Sequence, residues 1–176
     1  MNKSSLTRPV VGFIVAIACL AGASIEAASK NLLVVTVTKG FRHSSIPTAE
    51  SVLGTLADHS KEFDVDYARN DEELSEKMNP EALKQYDGVI FANTTGDLPI
   101  PNREYFLEWL QSGKAFIGMH SASDTFHGFP KFVGMIGGEF QTHGAQATVI
   151  ARVEDGHHPA CQHYGENFKV HDEIYI

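Results

Sequence analysis

Nine histidines are spread along the 176-residue chain, and His120 is the most consequential of them. It follows the apolar run Ala115-Phe116-Ile117-Gly118-Met119 and opens the polar stretch His120-Ser121-Ala122-Ser123-Asp124. An imidazole exchanges protons near neutral pH, so it serves as general acid or general base without a cofactor. Asp124 is close enough in sequence to orient that ring or to hold a hydroxyl group. Ser121 and Asp124 also have the spacing of a capping box, with Asp a poor replacement for the usual Glu, so capping competes with chemistry for Ser121. Two other loops carry comparable side chains: Arg42 and His43 after one apolar run, and Asn93 with Thr94 and Asp97 after another. Ligands of open α/β sheets collect outside the carboxyl ends of the parallel strands. If these three runs are neighbouring strands, their polar ends meet on one rim. Further along, Gly137-Gly138-Glu139-Phe140-Gln141-Thr142-His143 brings a second histidine behind a glycine pair, and His171-Asp172-Glu173 forms a third cluster.

Several chemistries fit this pattern less well. A metal site from His43, His120, His143, Asp124 and Glu173 would lack the short ligand spacings that mark zinc sites, so the expectation is no cofactor, with a divalent metal as the lesser alternative. A covalent mechanism needs an activated nucleophile, yet Gly-x-Ser-x-Gly is absent and Cys161 lies in a turn-like region. Gly40 and Gly118 stand alone, so no phosphate-cradling glycine loop is present. His59, His127, His157 and His163 show no partner pattern and read as surface or turn residues.

Those loops require strands and helices to hold them. Leu32–Val37 is a near-continuous β-branched run, the signature of a strand buried on both faces. A helix begins near Pro47, with Ala49, Val52, Leu53, Leu56 and Ala57 on one stripe. Phe63–Ala68 alternates like an edge strand, Asn70 caps a second helix, and Gly88–Asn93 is a third strand. Asn102 caps a helix carrying Phe106, Trp109 and Leu110 inward, and Gly113 ends it. After the strand that precedes His120 come a short helix over 129–136, a fifth strand at Thr148–Val153 and a last one from Asn167 to Ile176. Alternating strands and helices predict an α/β fold, a mostly parallel sheet with helices on both faces.

A net charge of −8 and the lack of a basic stripe argue against a nucleic-acid partner. Residues 1–28 read as a signal peptide: Lys3 and Arg8, an apolar run from Val10 to Ala23, then small residues ending at Ala27-Ala28. That run of roughly 14 residues falls short of the ~20 a membrane span requires, so the chain is expected to be exported, periplasmic or secreted, and not an integral membrane protein. Lipid attachment at Cys19 is the weaker alternative. Removing the leader takes away Lys3, Arg8 and Glu26 and leaves 12 basic and 21 acidic side chains, net −9. It also leaves Cys161 as the single cysteine, which rules out an internal disulfide.

With these segments in view, the chain resembles the trehalose-utilisation (ThuA-like) family. The resemblance rests on Gly40-Phe41-Arg42-His43, on Gly118-Met119-His120-Ser121-Ala122-Ser123-Asp124-Thr125-Phe126, on Gly137-Gly138-Glu139-Phe140 with His143, on His158-Pro159 and on Asp172-Glu173-Ile174-Tyr175. It implies a flavodoxin-like fold, similar to class I glutamine amidotransferases, over residues 29–176. Family members continue past the Asp-Glu-x-Tyr stretch, so a domain truncated at its C-terminus is expected. Amidotransferases carry a nucleophilic cysteine at the elbow where this chain has His120, which argues against glutamine hydrolysis. The family's association with disaccharide catabolism implies a small sugar substrate, with a sugar oxidoreductase as functional partner that would generate 3-keto sugars. On that reading His120 and His143 transfer protons, Asp124 and Glu173 orient them or hold hydroxyls, and Arg42, His43, Asn93 and Ser121 bind substrate. A non-catalytic sugar-binding module and a metal-dependent hydrolase are the competing readings.

Overall fold

The computed structural model describes residues 28–176, so the leader expected at 1–28 lies, but for its last residue, outside the described residues. Four strands form the central sheet: β1 (Lys30–Val35), β2 (Phe63–Ala68), β3 (Gly88–Ala92) and β4 (Ala115–Met119). They are all parallel, in the order β2-β1-β3-β4. The helices are α1 (Ile46–Ser60), α2 (Asp71–Lys77), α3 (Arg103–Gln111) and α4 (Pro130–Ile136).

The period-two alternation of a strand sends neighbouring side chains to opposite faces, and both faces here are apolar. Val34, Ile90 and Ala92 pack on Ala49 and Leu53 of α1. Leu33, Val35, Val89 and Phe91 point the other way, onto Leu74 of α2, Phe106 and Leu107 of α3 and Phe132 of α4. Phe91 sits at the middle of that second core, its ring centroid 5.8 Å from Phe106, 5.2 Å from Phe116 and 5.9 Å from Phe132. Helices therefore cover both sides of the sheet, as expected for central strands of continuous apolar sequence.

The caps follow the sequence. Asn70 Oδ1 accepts the Glu73 amide at 2.9 Å and Asn102 Oδ1 the Tyr105 amide at 2.9 Å, satisfying amides that the first helical turn leaves open. On α1 the stripe is narrower than its periodicity suggests. Ile46, Ala49, Leu53 and Ala57 are buried, whereas Val52 and Leu56 remain 50 % exposed.

One expectation changes more substantially. The strand predicted near 148–153 does not extend the parallel sheet. It forms β5 (Ala147–Arg152), which pairs antiparallel with β6 (Asn167–Asp172) in a separate two-stranded ribbon. The alternation was real, but its partner is the segment that follows it. The chain expected to run as strand to Ile176 leaves β6 at Asp172, and residues 141–142 then exchange backbone hydrogen bonds with Ile176.

Candidate functional site

Because β1, β3 and β4 are adjacent, their carboxyl ends bring His43, Asn93 and His120 to one rim. The loops behind them are stitched together. Thr38 bridges Thr95, and Gly96 donates its amide to Asp124 O at 2.7 Å while its carbonyl accepts the Phe126 amide at 3.2 Å. Gly96 sits at φ +72° with the backbone of Lys39 and Gly40 within 2.9 Å of where a Cβ would stand, so a side chain there would be both strained and blocked.

β4 passes without a linker into a 3₁₀ turn, His120–Asp124. His120 is the hinge of that elbow, at φ 49°, the left-handed region that costs a non-glycine residue about 1–2 kcal/mol. The turn is tight enough that a Cβ on Gly118 would lie 3.1 Å from Ala122 Cβ. The elbow presents the His120 imidazole to three groups from distant parts of the chain. Its Nε2 lies 3.1 Å from His43 Nδ1, 3.2 Å from Tyr175 Oη and 4.0 Å from Glu173 Oε2. Burial, then the proximity of His120, lowers the His43 pKa below its ordinary value, so His43 is neutral at pH 7 and one of its ring nitrogens can accept a proton. Burial, then the Glu173 carboxylate, pushes the Tyr175 phenol up to about 12, which leaves it protonated.

Beside these groups lies a cleft of about 400 Å³ lined by Phe41, His43, Asp124, Phe140, His143, Glu173 and Tyr175. The far wall comes from the second half of the chain. His143 pairs with Tyr175 as an isolated antiparallel bridge, and their rings stack at 6.0 Å. Phe140 packs on Tyr175 at 4.5 Å. Of the residues singled out in the sequence, His43, Asp124, His143 and Glu173 line this cleft, and His120 adjoins it through His43 and Tyr175.

Arg42, Asn93 and Ser121 are outside the lining. The Arg42 guanidinium donates to Thr36 O at 2.9 Å, and Asn93, 4 % exposed, donates to Ser45 Oγ at 2.7 Å. Ser121 is buried and its Oγ has no hydrogen-bond partner; the 3₁₀ turn starts with no side-chain cap, so the capping-box reading does not hold. Asp124 is not the partner of His120 either. Its Oδ1 meets His127 Nε2 at 2.6 Å, and His127 Nδ1 faces Glu139 Oε1 at 3.3 Å. His127, expected as an unpartnered surface residue, thus ties the elbow to the loop that carries Phe140 and His143. Phe41, Phe140 and Tyr175 also line the cleft and were outside the candidate set, Tyr175 being the one with a polar group. The sole sequence signal for it was its place in Asp172-Glu173-Ile174-Tyr175. Among the described residues no group of three or more His, Cys, Asp or Glu side chains is arranged to hold a metal ion, and no helix is long and apolar enough to cross a membrane.

The parallel α/β sheet matches the fold of two ThuA-like proteins of known structure. One, from Bacteroides uniformis ATCC 8492, is 20 % identical with a TM-score of 0.63, over 88 % of this chain and 64 % of that one. The other, from Parabacteroides merdae ATCC 43184, is also 20 % identical with a TM-score of 0.63, over 84 % of this chain and 62 % of that one. The chain thus spans less than two thirds of the length of either. The family model ThuA, trehalose utilisation, matches residues 31–176, and the chain belongs to that family. None of the curated proteins matches it.

Proposed function

We propose that this protein is an exported enzyme of carbohydrate catabolism that opens 3-keto-disaccharides, such as those derived from trehalose, by acid–base chemistry. The observation that carries the reading is the meeting of two imidazoles, His43 and His120, at 3.1 Å beside a cleft walled by carboxylates and aromatic rings. A keto group acidifies the adjacent C–H bond. A neutral imidazole takes that proton, the electron pair forms an enolate, and the enolate expels the glycosidic oxygen β to the carbonyl as a C=C bond forms. A second ring, protonated at the outset, gives its proton to the departing oxygen, and exchange with water restores both rings, so no nucleophile or redox partner is consumed. The first proton goes to the His120–His43 pair, in which His43 is kept neutral by its depressed pKa and can accept from the neighbouring ring.

His143, on the opposite wall, is positioned for the second transfer, and Asp124 and Glu173 are placed to take sugar hydroxyls. The aromatic faces of Phe41, Phe140 and Tyr175 suit the apolar face of a pyranose ring. The leader read at residues 1–28 supports export, and the keto sugar would come from an oxidoreductase acting on the intact disaccharide. The test is turnover of 3-keto-trehalose by purified protein. His120→Ala is expected to lower kcat by about 10²–10⁴-fold, the range of a general acid or base. Undiminished turnover in both His120→Ala and His143→Ala would end the proposal.

A further inference from the structure

Tyr175 and Glu173 set a donor and an acceptor side by side on the wall of the cleft. The hydroxyl of Tyr175 lies 3.2 Å from His120 Nε2 and also faces the Glu173 carboxylate, and that nitrogen is in turn 3.1 Å from His43 Nδ1. A ring nitrogen of neutral imidazole carries either one proton or one lone pair, so it cannot fully serve both neighbours. If Nε2 carries the proton and donates it to His43, the phenol proton has no acceptor there. If Nε2 offers its lone pair, His43 Nδ1–H and Tyr175 O–H compete for it. Glu173 has the complementary fault. Its Oε2 is shut from solvent and makes no hydrogen bond, although it lies 4.0 Å from the same nitrogen. An unpaired buried carboxylate oxygen is costly and calls for an O–H or N–H donor.

We infer that Tyr175 is a further catalytic residue, donating its O–H to the carbonyl oxygen of the ligand while the Glu173 carboxylate beside it accepts the hydroxyl on the neighbouring carbon, so that the site recognises an α-hydroxy ketone. This rests on the reading of the cleft as the site of keto-sugar chemistry. When the C–H proton leaves for an imidazole, its electron pair moves onto the carbonyl oxygen, and the Tyr175 hydrogen bond strengthens as that charge develops. A donor of this kind works through its position, since the phenol keeps its proton throughout. The protonated state set by burial and by the Glu173 carboxylate agrees with that role. The ring is already held by Phe140 and His143, so the hydroxyl is aimed before a ligand arrives.

The experiment compares wild type with Tyr175→Phe, which keeps the ring and removes only the hydroxyl, and with Glu173→Gln. Two readouts are taken: kcat and KM for methyl 3-keto-α-glucopyranoside, and calorimetric Kd values for that compound and for methyl α-glucopyranoside. In Tyr175→Phe, kcat is expected to fall about 10²–10³-fold, as for loss of one oxyanion donor, with KM within threefold. Wild type is expected to bind the keto sugar at least tenfold more tightly than the parent glucoside, and both variants to lose that preference. Wild type that binds with this preference but does not cleave would overturn the cleavage reaction and leave the donor–acceptor assignment supported. Wild type without the preference, or Tyr175→Phe retaining it or turning over at the wild-type rate, would overturn the assignment.

Discussion

Strands β3 and β5 are short and rich in apolar residues, Gly88-Val89-Ile90-Phe91-Ala92 and Ala147-Thr148-Val149-Ile150-Ala151-Arg152, yet they occupy opposite kinds of environment. β3 is paired on both edges and covered on both faces, with Phe91 wholly buried. β5 has one partner, and Ile150 is 74 % exposed. A two-stranded ribbon alone is marginal in water, whereas a sheet clasped between helices carries most of a domain's stability. The cleft draws on both regions. His43, His120 and Asp124 stand on the rim of the rigid sheet, and Glu173 and Tyr175 follow directly from the ribbon. Chemistry here depends on a stable wall and a weaker one being held in register, with His127 and the bridge between His143 and Tyr175 as the ties.

The most severe way to break this contrast is Phe91→Ala. Emptying the centre of the aromatic core is expected to cost about 3–5 kcal/mol, read from the denaturant midpoint. Acidification probes the rim with a smaller effect. His43 has a folded pKa below its ordinary value of 6.5, so its contribution to stability is complete above pH 6.5 and is lost as pH falls through the lower folded value. Hydrogen exchange at Lys39 and Gly40, whose amides donate to Thr95, should therefore quicken relative to β3 over that interval, and unchanged relative rates would refute the assignment. The smallest effect belongs to the ribbon. Ile150→Thr, at an exposed β position, is expected to shift global stability by no more than about 0.5 kcal/mol. A loss of several kcal/mol would mean that the ribbon is part of the main cooperative unit.

The parallel sheet was legible because burial on both faces leaves β1 and β3 as uninterrupted apolar runs, and because Asn70 and Asn102 mark helix starts with side chains that bond locally. The convergence of His43 and His120 followed from topology alone, since neighbouring parallel strands must end on one rim. Other features were closed to this kind of reading. Period-two alternation in β5 announces a strand but not its partner. The pairing of Asp124 with His127 depends on Phe126 at φ 58°, which turns the backbone in a way no spacing rule foretells. Tyr175 reaches His120 across 55 positions, a contact made by the path of the chain.

The isolated bridge between His143 and Tyr175 has a practical corollary. Any molecule that grips Tyr175 and the elbow at once must favour the closed form of the frailer wall, in proportion to RT ln(1 + [L]/Kd). Slowed amide exchange in residues 147–172 would then report occupancy even of a compound that never reacts, which makes the ribbon a built-in gauge for sorting candidate sugars.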